Sequence, residues 1–156
     1  MRLRIILVGK PGRAVDEAFV GACLRRLRPV WPTEVVSVTE ERLTSGRNER
    51  EVLLREAERI REKMPTGWPV VVLDRAGTAM DSPSFAARLR AWEESAVRGV
   101  AFVIGGPMGL DGVLVGEAAL RLSFGPMTFP HDLAFVMLCE QLYRALAITR
   151  GWPYHR

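Results

Sequence analysis

Val100-Ala101-Phe102-Val103-Ile104-Gly105-Gly106-Pro107-Met108-Gly109 decides how this chain is read. Its first half is a continuous apolar run of strand length, and its second half is a glycine- and proline-rich break. Glycine lets the backbone approach a ligand closely and take φ > 0 without steric cost, while proline fixes the turn. A second apolar run, residues 118–124, opens in the same way into Gly125-Pro126-Met127-Thr128-Phe129-Pro130-His131. Two such breaks so close in sequence place two approachable loops side by side. In an open α/β sheet, a ligand is expected at this C-terminal edge of the strands.

Outward from that stretch, strands and helices alternate. Residues 2–8 saturate in apolar side chains and stop at Gly9-Lys10-Pro11-Gly12. Val15, Phe19, Ala22, Cys23 and Leu27 then keep helical spacing up to Pro29. Residues 34–38 read as a second strand, 42–48 as a polar loop, and 49–64 as a charged helix with Val52, Leu53, Ala57 and Ile60 on its apolar face. Residues 69–74 form a third strand, nearly all apolar and hence covered on both faces. Asp81-Ser82-Pro83 supplies a cap and a first-turn proline for a helix whose buried stripe is Phe85, Leu89 and Trp92. This alternation predicts a parallel α/β sheet with helices on both faces. No repeat or linker interrupts it, which predicts a single domain over 1–156.

The last helix, 133–148, is apolar over more than one face. Such a helix must be covered on most sides, so it is expected either to thread beneath another segment or to meet a second chain. Glu140 and Arg144 stand four apart on it in the favourable orientation for an ion pair, and a buried Arg needs a carboxylate or a phosphate. The chain ends in Trp152-Pro153-Tyr154-His155-Arg156, too aromatic for a free tail. His131 and His155 are the only histidines, and their imidazoles alone could titrate near neutrality. His131 serves either as a helix-entry residue or on the substrate side.

Composition narrows the classes. At 156 residues, with 48% hydrophobic and 26% charged residues, the chain can bury a globular core. No apolar run reaches a membrane span, and the N-terminus reads as a strand rather than a targeting signal. Cys23 and Cys139 lack CxxC spacing and read as buried thiols. A net charge of +4 favours a polyanionic partner only modestly. Gly9-Lys10-Pro11-Gly12 is neither a dinucleotide fingerprint nor a P-loop. It reads as a tight turn with no part in binding, so Gly12→Ala is expected barely to change ligand affinity. No clustered metal ligands and no G-x-S-x-G elbow occur.

The residues Ile104-Gly105-Gly106-Pro107, Met127-Thr128-Phe129-Pro130-His131, Glu140-Gln141-Leu142-Tyr143-Arg144-Ala145 and Pro153-Tyr154-His155-Arg156 carry a resemblance. The chain resembles the ribosomal RNA large subunit methyltransferase H family, SPOUT-class enzymes that methylate N3 of a pseudouridine in 23S ribosomal RNA. Ile5-Ile6-Leu7-Val8 ending at Gly9-Lys10, and Leu73-Asp74 before Gly77, are compatible with it. The resemblance implies one cytoplasmic SPOUT domain with a C-terminal trefoil knot, S-adenosylmethionine held in the knot, and a homodimer acting on the assembled ribosome. It implies cofactor contacts from Leu73, Gly105, Ser123, Phe124, Gly125, Pro126, Met127 and Thr128. A side chain at Gly105 is then expected to fill space that the cofactor needs. His155, Arg144 and Tyr154 are the implied catalytic candidates, with His131 and Arg156 on the substrate side and no metal. Two alternatives stand beside it: a SPOUT enzyme acting on a ribose 2′-oxygen, and a knotted protein that binds ribosomes without catalysis. Met108 and Phe135 depart from the family pattern, where Glu and Arg are frequent.

Overall fold

A computed structural model describes residues 1–12, 17–44, 46 and 48–154. Val15, His155 and Arg156, and two positions of the polar 42–48 segment, lie outside the described residues. The elements are β1 (Arg2–Val8), α1 (Glu17–Leu27), β2 (Thr33–Val38), α2 (Glu49–Lys63), β3 (Val70–Ala79), α3 (Ser82–Glu94), β4 (Gly99–Ile104), α4 (Gly112–Gly116), β5 (Leu120–Ser123) and α5 (His131–Arg150). The strands form one sheet in the order β2-β1-β4-β3-β5, and every pairing is parallel.

Period-two alternation divides the core. Leu3, Ile5 and Leu7 of β1 point to the side of α1, α3 and α5, with Phe102 and Val71 beside them. Ile6 and Val8 point the other way, onto Ala57 and Ile60 of α2 and Leu114 of α4. The central strand β4 is therefore buried along its whole length, as its unbroken apolar run requires. Local signals behave as their chemistry dictates. The Asp81 carboxylate caps α3 by accepting from Ser84 N–H at 2.7 Å, and Asn48 caps α2 by accepting from Glu51 N–H at 2.9 Å.

Three details differ from the sequence reading. Phe19 is exposed, and α1 buries Val20, Cys23, Leu24 and Leu27 instead. On α2, Glu56 rather than Leu53 joins the buried stripe. The apolar breadth of α5 is largely explained within its own chain, because the helix lies in the groove between α1 and α3 above the sheet. Ala134, Phe135, Leu138, Cys139, Leu142, Leu146 and Ala147 are covered there, whereas Leu133 remains exposed. Cys23 and Cys139 are free buried thiols, and burial pushes Cys139 up to about 12. No helix among the described residues is long and apolar enough to cross a membrane.

Candidate active site

At the C-terminal edge of the strands, a cleft of about 950 Å³ opens between the segment after β4 and the segment after β5. Residues 106–109 form a tight turn: Gly109 N–H donates to the Gly106 carbonyl at 3.0 Å, with Pro107 at its second position. Gly109 has φ +84 and Gly125 has φ +128, and nothing lies within 4 Å of where their β-carbons would stand. Both stretches of backbone are thus open to a ligand. Gly105 is different. A β-carbon there would stand 2.5 Å from the Gly109 carbonyl oxygen and 2.9 Å from Leu110 Cγ, so it would break the turn from within. The neighbours of such a β-carbon belong to the turn itself, which is what Gly105 permits.

The third wall comes from β3. Leu73 and Thr78 both pair with Leu122, so residues 74–77 leave the ladder and rejoin it. Gly77 is required at this excursion, because a β-carbon would approach the Arg121 carbonyl oxygen to 2.5 Å. Asp74 closes it: Oδ1 accepts from Ala76 N–H at 3.0 Å, and Oδ2 accepts from Arg121 Nη2 at 2.7 Å. The Ala76 N–H and the Arg121 guanidinium hold the Asp74 carboxyl below its ordinary range. The Ser123 hydroxyl then ties two walls together, donating to the Arg75 carbonyl at 3.1 Å and accepting from Gly125 N–H at 3.0 Å.

Leu73, Gly105, Phe124, Gly125, Met127, Thr128 and His131 all line this cleft. Ser123 and Pro126 do not; Ser123 is buried and acts as the tie just described. Met108 faces the cleft as an apolar lining residue. Phe135 points into the core, 2% exposed, where an unpaired guanidinium would carry a heavy desolvation cost. The departure at Phe135 thus removes no charge from the cleft wall.

Arg144 and Tyr154 are not at the cleft. Thirteen residues of α5 separate Arg144 from His131, a rise of about 20 Å along the helix axis. The tail is folded back by the left-handed Gly151 (φ 66), and Trp152 N–H donates to the Ala147 carbonyl at 2.8 Å. This lays Tyr154 over Tyr143, with ring centroids 4.5 Å apart, and beneath the Arg144 guanidinium at 4.9 Å. Glu140 Oε1 accepts from Arg144 Nη2 at 2.6 Å and from the Tyr154 hydroxyl at 3.2 Å. Burial and the Glu140 charge raise the Tyr154 phenol, and the same carboxylate raises Arg144. His155 and Arg156 lie outside the described residues.

Two features escaped the sequence. Residues 9–12 meet the entry of α5 beside the cleft: a β-carbon on Gly9 would stand 4.0 Å from His131 Nε2, and Gly12 N–H donates to Asp132 Oδ1 at 2.9 Å. A β-carbon on Gly12 would meet the Asp132 carboxylate, beside His131, so Gly12→Ala must displace that side chain. Nothing in the residue types of this loop revealed a contact 120 residues away.

The second is Glu56, 3% exposed, whose Oε1 accepts from Glu41 N–H at 2.9 Å. Its Oε2 lies 3.7 Å from a β-carbon built on Gly106, directly behind the glycine turn. Its i, i+4 spacing from Val52 and Ile60 was the available signal. Burial, reinforced by Glu40 and opposed by Arg59, pushes its carboxyl up to about 7. With the folded pKa above the ordinary value, the fold favours protonated Glu56. That stabilisation is complete below about pH 4.5 and is lost as pH rises through 7. Glu56→Gln keeps the acceptor for Glu41 N–H and removes the charge. Its melting temperature is expected to exceed wild type by roughly 5 °C at pH 8.5 and to match it near pH 4.5. A pH-independent difference in calorimetric melts would show that ionisation of Glu56 is not the cause.

A family model described as "Predicted SPOUT methyltransferase" matches residues 1–155. "Ribosomal RNA large subunit methyltransferase H" of Dinoroseobacter shibae is 46% identical, with 100% of this chain and 99% of the relative covered. The chain belongs to the ribosomal RNA large subunit methyltransferase H family of SPOUT methyltransferases. The protein of the same name from Magnetococcus marinus is 40% identical, with 99% of each chain covered. A probable methyltransferase from Bordetella pertussis shares the fold at TM-score 0.53 and 15% identity, covering 93% of this chain and 96% of that one. A SPOUT methyltransferase needs a methyl donor, and the cleft suits one. Leu73, Phe124 and Met127 offer apolar surface for a flat ring, and the open backbone of 105–109 and 124–128 offers hydrogen bonds to its edge.

Proposed function

We propose that this protein transfers a methyl group from S-adenosylmethionine to N3 of a pseudouridine in 23S ribosomal RNA, within the assembled large subunit or ribosome. The observation that carries the reading is the convergence of the Gly105 turn, Leu73 and residues 124–128 on one cleft, in a chain of this family. The relatives are named for large-subunit ribosomal RNA, and the net charge of +4 suits that polyanion. We assign the cofactor to Leu73, Gly105 and residues 123–128, with Ser123 and Pro126 shaping the wall rather than facing the donor. One cytoplasmic domain, 1–156, with a C-terminal trefoil knot, completes the reading.

S-adenosylmethionine supplies an electrophilic sulfonium methyl, and no metal is needed. The protein's task is alignment, which contributes on the order of 7–11 kcal/mol in the best cases. His131, on the cleft wall, is placed to orient the base. Loss of the N3 proton is helped by groups that stabilise the developing anion, and we assign this to His155, Arg144 and Tyr154. Because Arg144 lies about 20 Å along α5 from His131, with Tyr154 packed on it, these two side chains reach a cleft more readily from a second copy of the chain. The active form is accordingly a homodimer, readable by sedimentation as a species near twice 17.4 kDa.

Transfer of tritiated methyl from S-adenosylmethionine to ribosomes and to naked RNA, with the product nucleoside mapped, tests the reading. Label at N3 of a pseudouridine, appearing only on ribosomes, is expected. Label on a ribose oxygen would reassign the target, and donor binding without transfer would make the protein a non-catalytic ribosome binder.

A further inference from the structure

The cleft wall carries three ionisable side chains, Asp74, Arg75 and His131. Asp74 is compensated by Arg121, and His131 Nε2 faces Asp132 Oδ1 at 3.1 Å. Arg75 differs: its exposed guanidinium makes no hydrogen bond or close ion pair with a described residue, although its charge acts on the neighbouring Asp74 carboxylate. The backbone that presents it is nevertheless held firmly. The Asp74 turn closes on one side of it, Gly77 packs against the Arg121 carbonyl on the other, and the Ser123 hydroxyl holds the Arg75 carbonyl. A solvated surface arginine needs no such mounting. This one lines a cleft whose single carboxylate, Asp74, already has Arg121 as its close partner.

A guanidinium is a planar fork suited to a carboxylate or a phosphate. We infer that Arg75 binds the carboxylate at the methionine end of the methyl donor and so fixes which way round the donor lies. The inference rests on the reading of the cleft as the S-adenosylmethionine site. The donor has a neutral adenosine end, a cationic sulfonium, a cationic ammonium and one anionic group. That carboxylate is the one group of the donor with which a guanidinium forms a charge-matched, bidentate pair. Position favours the donor over an RNA phosphate, because the Arg75 backbone is tied to Ser123, within the segment assigned to the donor.

The test compares two ligands by calorimetric titration: S-adenosylhomocysteine, which keeps the carboxylate, and methylthioadenosine, which lacks the amino-acid end. Arg75→Ala is expected to weaken S-adenosylhomocysteine by about 10- to 100-fold while leaving methylthioadenosine within twofold, and Arg75→Lys to recover part of the loss. Unchanged melting would verify that the variant is folded. Equal losses on both ligands would make Arg75 a structural residue and overturn the inference. Unchanged affinity for both, with a salt-dependent rise in KM for ribosomes, would overturn it in favour of a phosphate contact. A wild-type protein that binds neither ligand would overturn the reading of the cleft itself, and Arg75 with it.

Discussion

Gly105→Ala is expected to weaken S-adenosylmethionine binding by 100-fold or more, whereas Gly112→Ala leaves it unchanged. A single methyl suffices at Gly105 because its neighbours are main-chain atoms: the Gly109 carbonyl oxygen at 2.5 Å and carbon at 2.7 Å from the new carbon. Those atoms belong to a hydrogen-bonded turn and cannot step aside as a side chain would, so the turn opens. Gly112 has nothing within 4 Å of the same position, which makes it a matched control near the same loop. The readout is the dissociation constant by calorimetry, with melting curves to verify folding. Equal affinity in the Gly105 variant would remove the glycine turn from the donor site.

Deleting residues 154–156 is expected to lower methyl transfer to ribosomes by about 10²-fold or more, the scale of lost electrostatic or acid–base help. Donor affinity should stay within twofold, since Tyr154 packs on Tyr143 and Arg144, far from the cleft lining. Losing that stacking and the hydrogen bond to Glu140 costs about 1–2 kcal/mol, a fall of a few degrees in melting temperature. If one protomer's tail serves its partner, mixing the deleted chain with the Gly105→Ala chain should restore activity that neither has alone. Absence of rescue in verified mixed dimers would place the tail in its own protomer's site. Full turnover in the deletion would eliminate the tail from the chemistry.

Much of this was legible in the residues. The run before Gly105 could only be a buried strand, and Asp81-Ser82-Pro83 announced its helix by capping chemistry. The glycine turn was visible because glycine and proline carry backbone information in their own covalent structure. What stayed hidden depended on distant partners. Glu56 looks like one more charge on a charged helix until the fold lays it behind Gly106. Gly12 looks like a spacer until Asp132 meets its N–H. Arg75 is one arginine among many, and only the looping out of 74–77 from β3 singles it out. The breadth of α5 suggested a partner, but a groove between two helices of the same chain covers much of it.

The strand order also governs how the molecule can be made. β1 bonds only to β2 and β4, and β3 only to β4 and β5. A chain emerging from its N-terminus can therefore assemble the β1–β2 ribbon, but β3 has no neighbour until β4 has been synthesised. The middle of the sheet arrives late, and it closes two open edges at once. Non-local closure of this kind slows folding and leaves unpaired backbone exposed in the interval. Since the cleft draws a wall from each of β3, β4 and β5, a nascent chain has no binding site until nearly all of it has left the ribosome that is making it.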